Sequence, residues 1–229
     1  MRALLLAAGI GTRLRPLTDT TPKCLVEING APLLGRWLET LNSLGANEIV
    51  VNTHYLPAMV NDFIASHPLK EIVRINHEHE LLGTAGTLRR HSDFLSQNGG
   101  IVIHADNYCL ANIGNFLHAH CNRPKHCVMT MMTFITDDPQ SCGIVETDEM
   151  GIVTAFYEKV SQPPSSRANA AIYVLAPSFF KTVNLDCEKL QDISRDIIPL
   201  LMGRIFTHHV SEPVIDIGTI KKLQDAQSL

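Results

Sequence analysis

Two glycines, Gly9 and Gly11, follow directly on an apolar run at residues 3–7, and the cations Arg13, Arg15 and Lys23 come close behind. Glycines just past a buried strand let backbone N–H groups turn toward an anion at short range. Two or three cations around those amides complete a cradle for a polyphosphate. The loop is not a dinucleotide fingerprint, which needs Gly at position 14, where this chain has Leu14. Nor is it a Walker loop, which carries Lys-Ser/Thr after its last glycine. A G-x-G turn alone is as readily a tight strand exit, and scattered Arg and Lys as readily a solvated surface. The combination of the two is what points to phosphate.

Other chemistry-bearing residues fit no comparable scheme. His77-Glu78-His79-Glu80 alternates as in a strand or loop tip, which gives no tetrahedral cage, and no further ligands accompany it. His118, His120, Cys121, His126 and Cys127 match no standard zinc spacing, and a helix followed by a strand explains them. The six cysteines contain no C-x-x-C pair and read as small core residues in a reducing compartment. With 19 Lys and Arg against 23 Asp and Glu, the net charge of −4 leaves no general basic field for nucleic acid. A phosphate-bearing ligand must therefore be met by a few placed cations or by a divalent metal.

Holding such groups takes a layered scaffold, and 229 residues suffice for one large domain with its own core. The run at 3–7 reads as a central strand covered on both faces. Residues 8–21 form a long loop. Pro32 then opens a helix with Leu33, Leu34, Trp37, Leu38, Leu41 and Leu44 on one face, stopped by Gly45. Strands at 48–52, 72–76 and 101–103 alternate with helices at 57–66 and 84–95, the pattern of a largely parallel sheet in a layered α/β domain. The second half holds four strand-like runs, at 128–135, 144–147, 152–157 and 168–175, with a hairpin signal in Asp148-Glu149-Met150-Gly151. Helices resume around 192–201 and after Gly218. The apolar opening is too brief for a signal peptide and lacks a small-residue cleavage site. No run approaches the ~18 residues of a membrane span. A cytoplasmic protein with no membrane and no nucleic-acid partner is expected.

The stretch Leu6-Ala-Ala-Gly-Ile-Gly-Thr-Arg-Leu-Arg-Pro-Leu-Thr18, followed by Pro22-Lys23, closely resembles the signature of sugar-1-phosphate nucleotidyltransferases, and Gly83-Thr84-Ala85-Gly86 resembles the mannose- and heptose-1-phosphate guanylyltransferases among them slightly more than the thymidylyl or uridylyl members. Four further stretches agree in order. Gly83-Thr84-Ala85-Gly86 resembles the segment beside the nucleobase, and His104-Ala105-Asp106-Asn107 the strand end with a metal-binding Asp. Phe156-Tyr157-Glu158-Lys159 with Asn169-Ala170-Ala171-Ile172-Tyr173 resembles the sugar-phosphate side. Val214-Ile215-Asp216-Ile217-Gly218-Thr219 resembles the segment with the second metal-binding Asp. The resemblance implies a Rossmann-like three-layer fold with a mixed, mostly parallel central sheet and an antiparallel insertion. It implies a single domain over 1–229, its nucleotide-binding half at about 1–125 and its sugar-phosphate-binding half at about 126–229.

The reaction so implied is attack by a sugar 1-phosphate oxygen on the α-phosphorus of a nucleoside triphosphate, with release of pyrophosphate. The nucleophile is already an anion, so charge neutralisation and positioning carry the catalysis. By resemblance, Arg13 meets the leaving pyrophosphate, Lys23 the α-phosphate and Lys159 the sugar phosphate, making these three the catalytic set. Leu6, Ala8, Gly9, Gly11, Thr12, Gly83, Thr84 and Asp106 are the implied nucleotide-side contacts. Gly143, Glu158 and Asn169 are the implied sugar-side contacts. Asp106 and Asp216, each ending a strand-like run, are the implied Mg²⁺ ligands. A homodimer follows from family habit alone.

Ala105 and Ala171 stand where the family usually has Gly, small-for-small changes that bear on the sugar more than on activity. Cys24, uncommon after the lysine, reads as packing. GTP with a manno-configured hexose or heptose 1-phosphate is the favoured substrate pair. Uridylyl or thymidylyl transfer to another sugar 1-phosphate (N-acetylmuramic acid or glucose), phosphocholine cytidylyltransfer and a non-catalytic nucleotide-sugar sensor remain as alternatives.

Overall fold

The computed structural model describes every residue, Met1–Leu229. Its strands are β1 Arg2–Leu6, β2 Glu27–Ile28, β3 Ala31–Pro32, β4 Glu48–Thr53, β5 Val73–His77, β6 Gly100–His104, β7 Asn107–Cys109, β8 Met129–Ile135, β9 Gly143–Thr147, β10 Val153–Glu158, β11 Arg167–Leu175, β12 Ile205–His209 and β13 Val214–Asp216. Its α-helices are α1 Leu33–Ser43, α2 Pro57–Ser66, α3 Gly83–Arg90, α4 Ser92–Ser96, α5 Ile113–Cys121, α6 Phe179–Thr182 and α7 Ile220–Gln227. The protein is mixed α/β, with a central, mostly parallel sheet and antiparallel strands. No helix is long and apolar enough to cross a membrane. The chain gathers into two compact units, one made of Met1–Leu81, Val102–Cys109 and Val214–Leu229, the other of Leu82–Ile101 and Leu110–Pro213.

In the first unit β1 pairs in parallel with β4 from Arg2↔Glu48 to Leu6↔Asn52, and β4 with β5 from Ile49↔Val73 to Thr53↔His77. Ala3, Leu4 and Leu5 are wholly buried, as a continuous apolar run requires of a strand covered on both faces. Helix α1 follows Pro32 and buries Leu33, Leu34, Trp37, Leu38 and Leu41. It ends as its sequence demands, with Ala46 N–H donating to the Leu41 carbonyl at 2.9 Å across Gly45. Strands β7 and β13 form a separate antiparallel ribbon, and β2 and β3 a short hairpin.

In the second unit β8 pairs antiparallel with β11 and parallel with β12. Strand β11 also meets β9, and β9 pairs antiparallel with β10 through the expected turn. Asp148 closes that turn, Oδ1 accepting the Met150 and Ile152 N–H groups at 2.9 Å each.

Two expected helices come out differently. The one at 84–95 is broken into α3 and α4 at His91, whose φ of −108° and ψ of 18° leave helical geometry. Ser92, which competes for backbone bonds in helix interiors, starts the next turn. The helix at 192–201 is a π-helical turn, Ile193–Ile197, passing into a 3₁₀ turn, Ile198–Leu201. Pro199 has no N–H with which to continue an α-helix.

Candidate active site

Three separated stretches of the first unit meet around one ammonium group. Lys23 lies in the 3₁₀ turn Lys23–Leu25, opened by Pro22. It is 8% exposed, and its Nζ donates to Asp106 Oδ2 at 2.5 Å and to Asp216 Oδ1 at 2.8 Å. The ribbon brings the two carboxylates together: Asp216 stands opposite Asn107, and Ile217 N–H donates to the Asp106 carbonyl at 3.2 Å. Trp37 on α1 secures it, the indole N–H donating to the Asn107 carbonyl at 2.9 Å. Burial alone would push the Lys23 ammonium down, but Asp106 and Asp216 outweigh it and hold it above the ordinary lysine value. Burial would also push the Asp106 carboxyl up, but Lys23, helped by His104, holds it below the ordinary aspartate value. Lys23 and Asp106 are therefore both ionised across neutral pH.

Each polar member is chained to a buried apolar neighbour. Leu14 beside Arg13, Cys24 beside Lys23, Ala105 beside Asp106 and Ile217 beside Asp216 are all at most 2% exposed. Leu14 and Ile217 share one apolar cluster with Val26, Ile28, Leu33, Tyr108, Leu223 and Ala226. Burial pushes the Cys24 thiol up to about 12, which makes it a packing residue and not a nucleophile.

The glycine loop leaves β1 at Leu6, whose carbonyl accepts the Ala105 N–H at 3.0 Å. Ala8 is buried, Gly9 and Thr12 are exposed, and Thr18 Oγ1 donates to the Gly11 carbonyl at 2.7 Å, closing the loop on itself. Arg13 and Asp216 both reach the space at Gly218. A methyl group at Gly218 would lie 2.9 Å from Arg13 Nη2 and 3.1 Å from Asp216 Oδ2, so a side chain there would make both side chains shift. Arg15 is engaged elsewhere, 3.1 Å from Asp19 on the surface. The loop's cations are thus Arg13 and Lys23.

In the second unit the segment at 83–86 is braced by the stretch at 191–193. Gly83 opens α3, and Ala85 N–H donates to the Gln191 carbonyl at 3.0 Å. Thr84 Oγ1 donates to Asp192 Oδ2 at 3.2 Å and accepts the Ile193 N–H at 2.8 Å, which commits its single proton. Glu158 ends β10 opposite Gly143, where a methyl group would lie 2.5 Å from the Phe156 ring and 2.7 Å from Glu158 Oε2. Gly143 thus makes room for both side chains. Lys159 follows with a left-handed φ of 52°, its N–H donating to the Cys142 carbonyl at 3.2 Å and its exposed Nζ 3.4 Å from Glu158 Oε1. That conformation costs a residue with a side chain about 1–2 kcal/mol, and such strain gathers at functional sites.

Asn169 accepts the Ala171 N–H at 2.9 Å through Oδ1 and donates from Nδ2 to the Tyr173 hydroxyl at 2.7 Å. These residues span a register shift in β11, and Ala171 inside it has a φ of 52°. The glycine expected at 171 is the residue such backbone favours, and Ala171 adopts it under strain. Burial pushes the Tyr173 phenol well above the ordinary tyrosine value, so it remains a neutral hydroxyl, with Ser194 as a further partner. Tyr173 and Asp192 were not singled out by the sequence. Tyr173 looks like strand core, and Asp192 like a helix cap, which it also is, accepting the Arg195 N–H at 3.0 Å.

No group of three or more His, Cys, Asp or Glu side chains gathers to hold a metal. The two carboxylates already paired to one cation at Lys23 are nonetheless a donor set that suits Mg²⁺, which uses one or two carboxylates and completes its shell with phosphate and water oxygens.

Among curated proteins, the mannose-1-phosphate guanylyltransferase catalytic subunit beta of Drosophila melanogaster is 32% identical over 202 residues, which cover 86% of this chain and 53% of that protein. Its counterpart from Xenopus tropicalis is 29% identical over 228 residues, covering 96% of this chain and 62% of that protein. The chain therefore spans between about half and two thirds of the length of these relatives. Among solved structures, HddC from Yersinia pseudotuberculosis complexed with GMP-PN shares the fold, with a TM-score of 0.80 at 24% identity over 99% of this chain and 98% of that one. The nucleotidyl transferase family model matches residues 2–229, through the glycine loop, both aspartates and the braced strands alike, and this chain belongs to that family.

Proposed function

We propose that this chain transfers the guanylyl group of GTP to a manno-configured hexose or heptose 1-phosphate, giving a nucleoside-diphosphate sugar and pyrophosphate. The observation that carries this reading is the Lys23 ammonium bracketed by Asp106 and Asp216 in the same unit as the glycine loop. Both relatives named above are mannose-1-phosphate guanylyltransferases, which supports the choice of base and sugar.

An oxygen of the sugar phosphate attacks the α-phosphorus, the bond to the bridging oxygen of the β-phosphate breaks, and pyrophosphate leaves with that electron pair. No base is needed, since the attacking oxygen is already charged; the barrier is the meeting of two anions. In this reading the Gly9 and Gly11 amides, with Leu6, Ala8 and Thr12, hold the triphosphate, and Arg13 balances charge on the departing pyrophosphate. Lys23 serves the α-phosphate, and Lys159 the incoming sugar phosphate. Gly83 and Thr84 set the backbone beside the base. Glu158 and Asn169 accept sugar hydroxyls, and Gly143 leaves Glu158 the room to do so. Asp106 and Asp216 would hold Mg²⁺, which supplies positive charge to the phosphate oxygens. The six free thiols suit a reducing cytoplasm.

The test is pyrophosphate release with Mg²⁺, crossing GTP, UTP, dTTP and CTP against mannose-, heptose-, glucose- and N-acetylmuramic acid 1-phosphates, plus phosphocholine. Turnover with GTP and a manno-configured acceptor is expected. Turnover with another pair would replace the substrates named here. Silence throughout, with nucleotide sugar still bound, would replace the enzyme by a sensor.

A further inference from the structure

At the carboxyl edge of the first unit's sheet lies a buried carboxylate with no part in the chemistry above. Glu78, just past β5, is 1% exposed, and Asn52 near the end of β4 is 3% exposed. Asn52 Nδ2 donates to Glu78 Oε1 at 3.0 Å, and Asn52 Oδ1 accepts the Ala7 N–H at 2.7 Å. Glu78 is itself fixed through its backbone: its N–H donates to the Thr53 carbonyl at 2.8 Å, and its carbonyl meets His54 Nδ1 at 2.8 Å. The β1–β4 pairing ends at Leu6↔Asn52. Ala7 is thus held by a side chain beyond the end of the paired register, at the point where the chain departs into the glycine loop.

The two ends of a side-chain amide have nearly the same shape, so shape alone does not decide which faces Ala7. A carboxylate can only accept, so Glu78 obliges Nδ2 to turn toward it and leaves Oδ1 for the Ala7 N–H. A buried carboxylate is costly to keep, and an apolar residue would pack there at less expense. We infer that Asn52 and Glu78 are positioning residues for the triphosphate loop. Glu78 sets the orientation of the Asn52 amide, the amide sets the exit of Ala7 from β1, and that exit aims the Gly9 and Gly11 amides. This inference rests on the reading of the loop as the nucleotide cradle.

Exchanging the two groups tests the order of donors and acceptors. Asn52→Asp sets two carboxylates face to face. Glu78→Gln leaves an acceptor for Asn52 but lets either amide turn. The double variant, Asn52→Asp with Glu78→Gln, restores the pattern in reverse, the carboxylate at position 52 accepting both the Ala7 N–H and the amide at position 78. With GTP, Asn52→Asp is expected to raise the nucleotide KM by about tenfold or more, the worth of a hydrogen bond to a charged group. The sugar-phosphate KM should change less than about twofold, Glu78→Gln should cost less than about threefold, and the double variant should return to within about threefold of wild type. Hydrogen exchange of the ligand-free protein provides the second readout. Amides at 7–13 should exchange about tenfold faster in Asn52→Asp and return to wild-type rates in the double variant, with 2–5 unchanged.

Equal loss in the single and double variants, or unaltered exchange at 7–13, overturns the inference. If Asn52→Asp does not fold, the double variant decides it: wild-type exchange at 7–13 upholds the inference, and exchange about tenfold faster there overturns it. If the wild type neither binds nor turns over any nucleotide, the proposed function fails while the exchange data still decide whether Glu78 positions the loop.

Discussion

Replacing Lys23 by Met keeps the length of the side chain and removes the charge that two carboxylates share. At an effective dielectric of about 20, unit charges some 3 Å apart attract by about 5–6 kcal/mol, and Lys23 makes two such pairs, at 2.5 and 2.8 Å. Desolvation offsets most of that. Losing one partner of a fully buried pair leaves about 3–5 kcal/mol of damage; because the Asp216 side chain is 50% exposed, the lower end, about 3 kcal/mol, is expected here. The pH dependence carries a sign. In the wild type Asp106 is held below its ordinary 3.8, so its contribution is present above that value and lost as pH falls through the lower folded one. Lys23 is held above 10.5, so its contribution is present below that value and lost as pH rises through the higher folded one. The wild-type cluster should therefore be steady from about pH 5 to 9. In Lys23→Met the buried Asp106 carboxyl loses the cation that held it down, burial raises its affinity for protons, and the variant should regain stability as pH falls toward the ordinary aspartate value. Urea unfolding in EDTA at several pH values measures this, and turnover of the folded variant should drop about 10²–10³-fold. A loss below about 0.5 kcal/mol with wild-type pH dependence, or turnover within about tenfold of wild type, would refute the reasoning.

Gly143→Ala forces the Phe156 ring and Glu158 aside, so the sugar-phosphate KM should rise about tenfold with the nucleotide KM little changed, read from initial rates with each substrate varied in turn. Tyr173→Phe leaves the Asn169 amide without its buried acceptor and should cost about 1–3 kcal/mol in urea unfolding. Ala171→Gly relieves a left-handed alanine and should raise stability by up to about 1 kcal/mol, or about 2–4 °C in Tm by calorimetry. An unchanged or lowered Tm would mean that the added freedom of the unfolded chain outweighs the strain.

Elements long enough to show a period were legible. Helix α2 falls on the residues that Pro57 and the following apolar pattern mark, and the Asp148–Gly151 turn joins the strands it was expected to join. The ribbon of β7 and β13 was not legible, because strands of three residues carry no alternation, yet it is what sets Asp216 opposite Asn107. The site residues could be named because each sat in a recognisable stretch, whereas their supports could not. Thr84 reaches Asp192 across 108 positions, and Asn52 reaches Glu78 across 26, distances at which no local pattern pairs one polar residue with another. Arg15 shows the reverse case, a cation in the right stretch whose partner, Asp19, lies one helical turn away on the surface.

The order in which the chain is made has a consequence for this layout. The second unit has all its residues once Pro213 is in place, but the first still awaits Val214–Leu229. Lys23 emerges 193 residues before Asp216. At about 5–20 residues per second, the lysine waits on the order of ten seconds or more for its second carboxylate, and β7 for its partner strand. Ribosome arrest at Pro213 would therefore leave a chain that lacks the aspartate completing the charge cluster. Appearance of the full charge cluster reports that translation has passed residue 216.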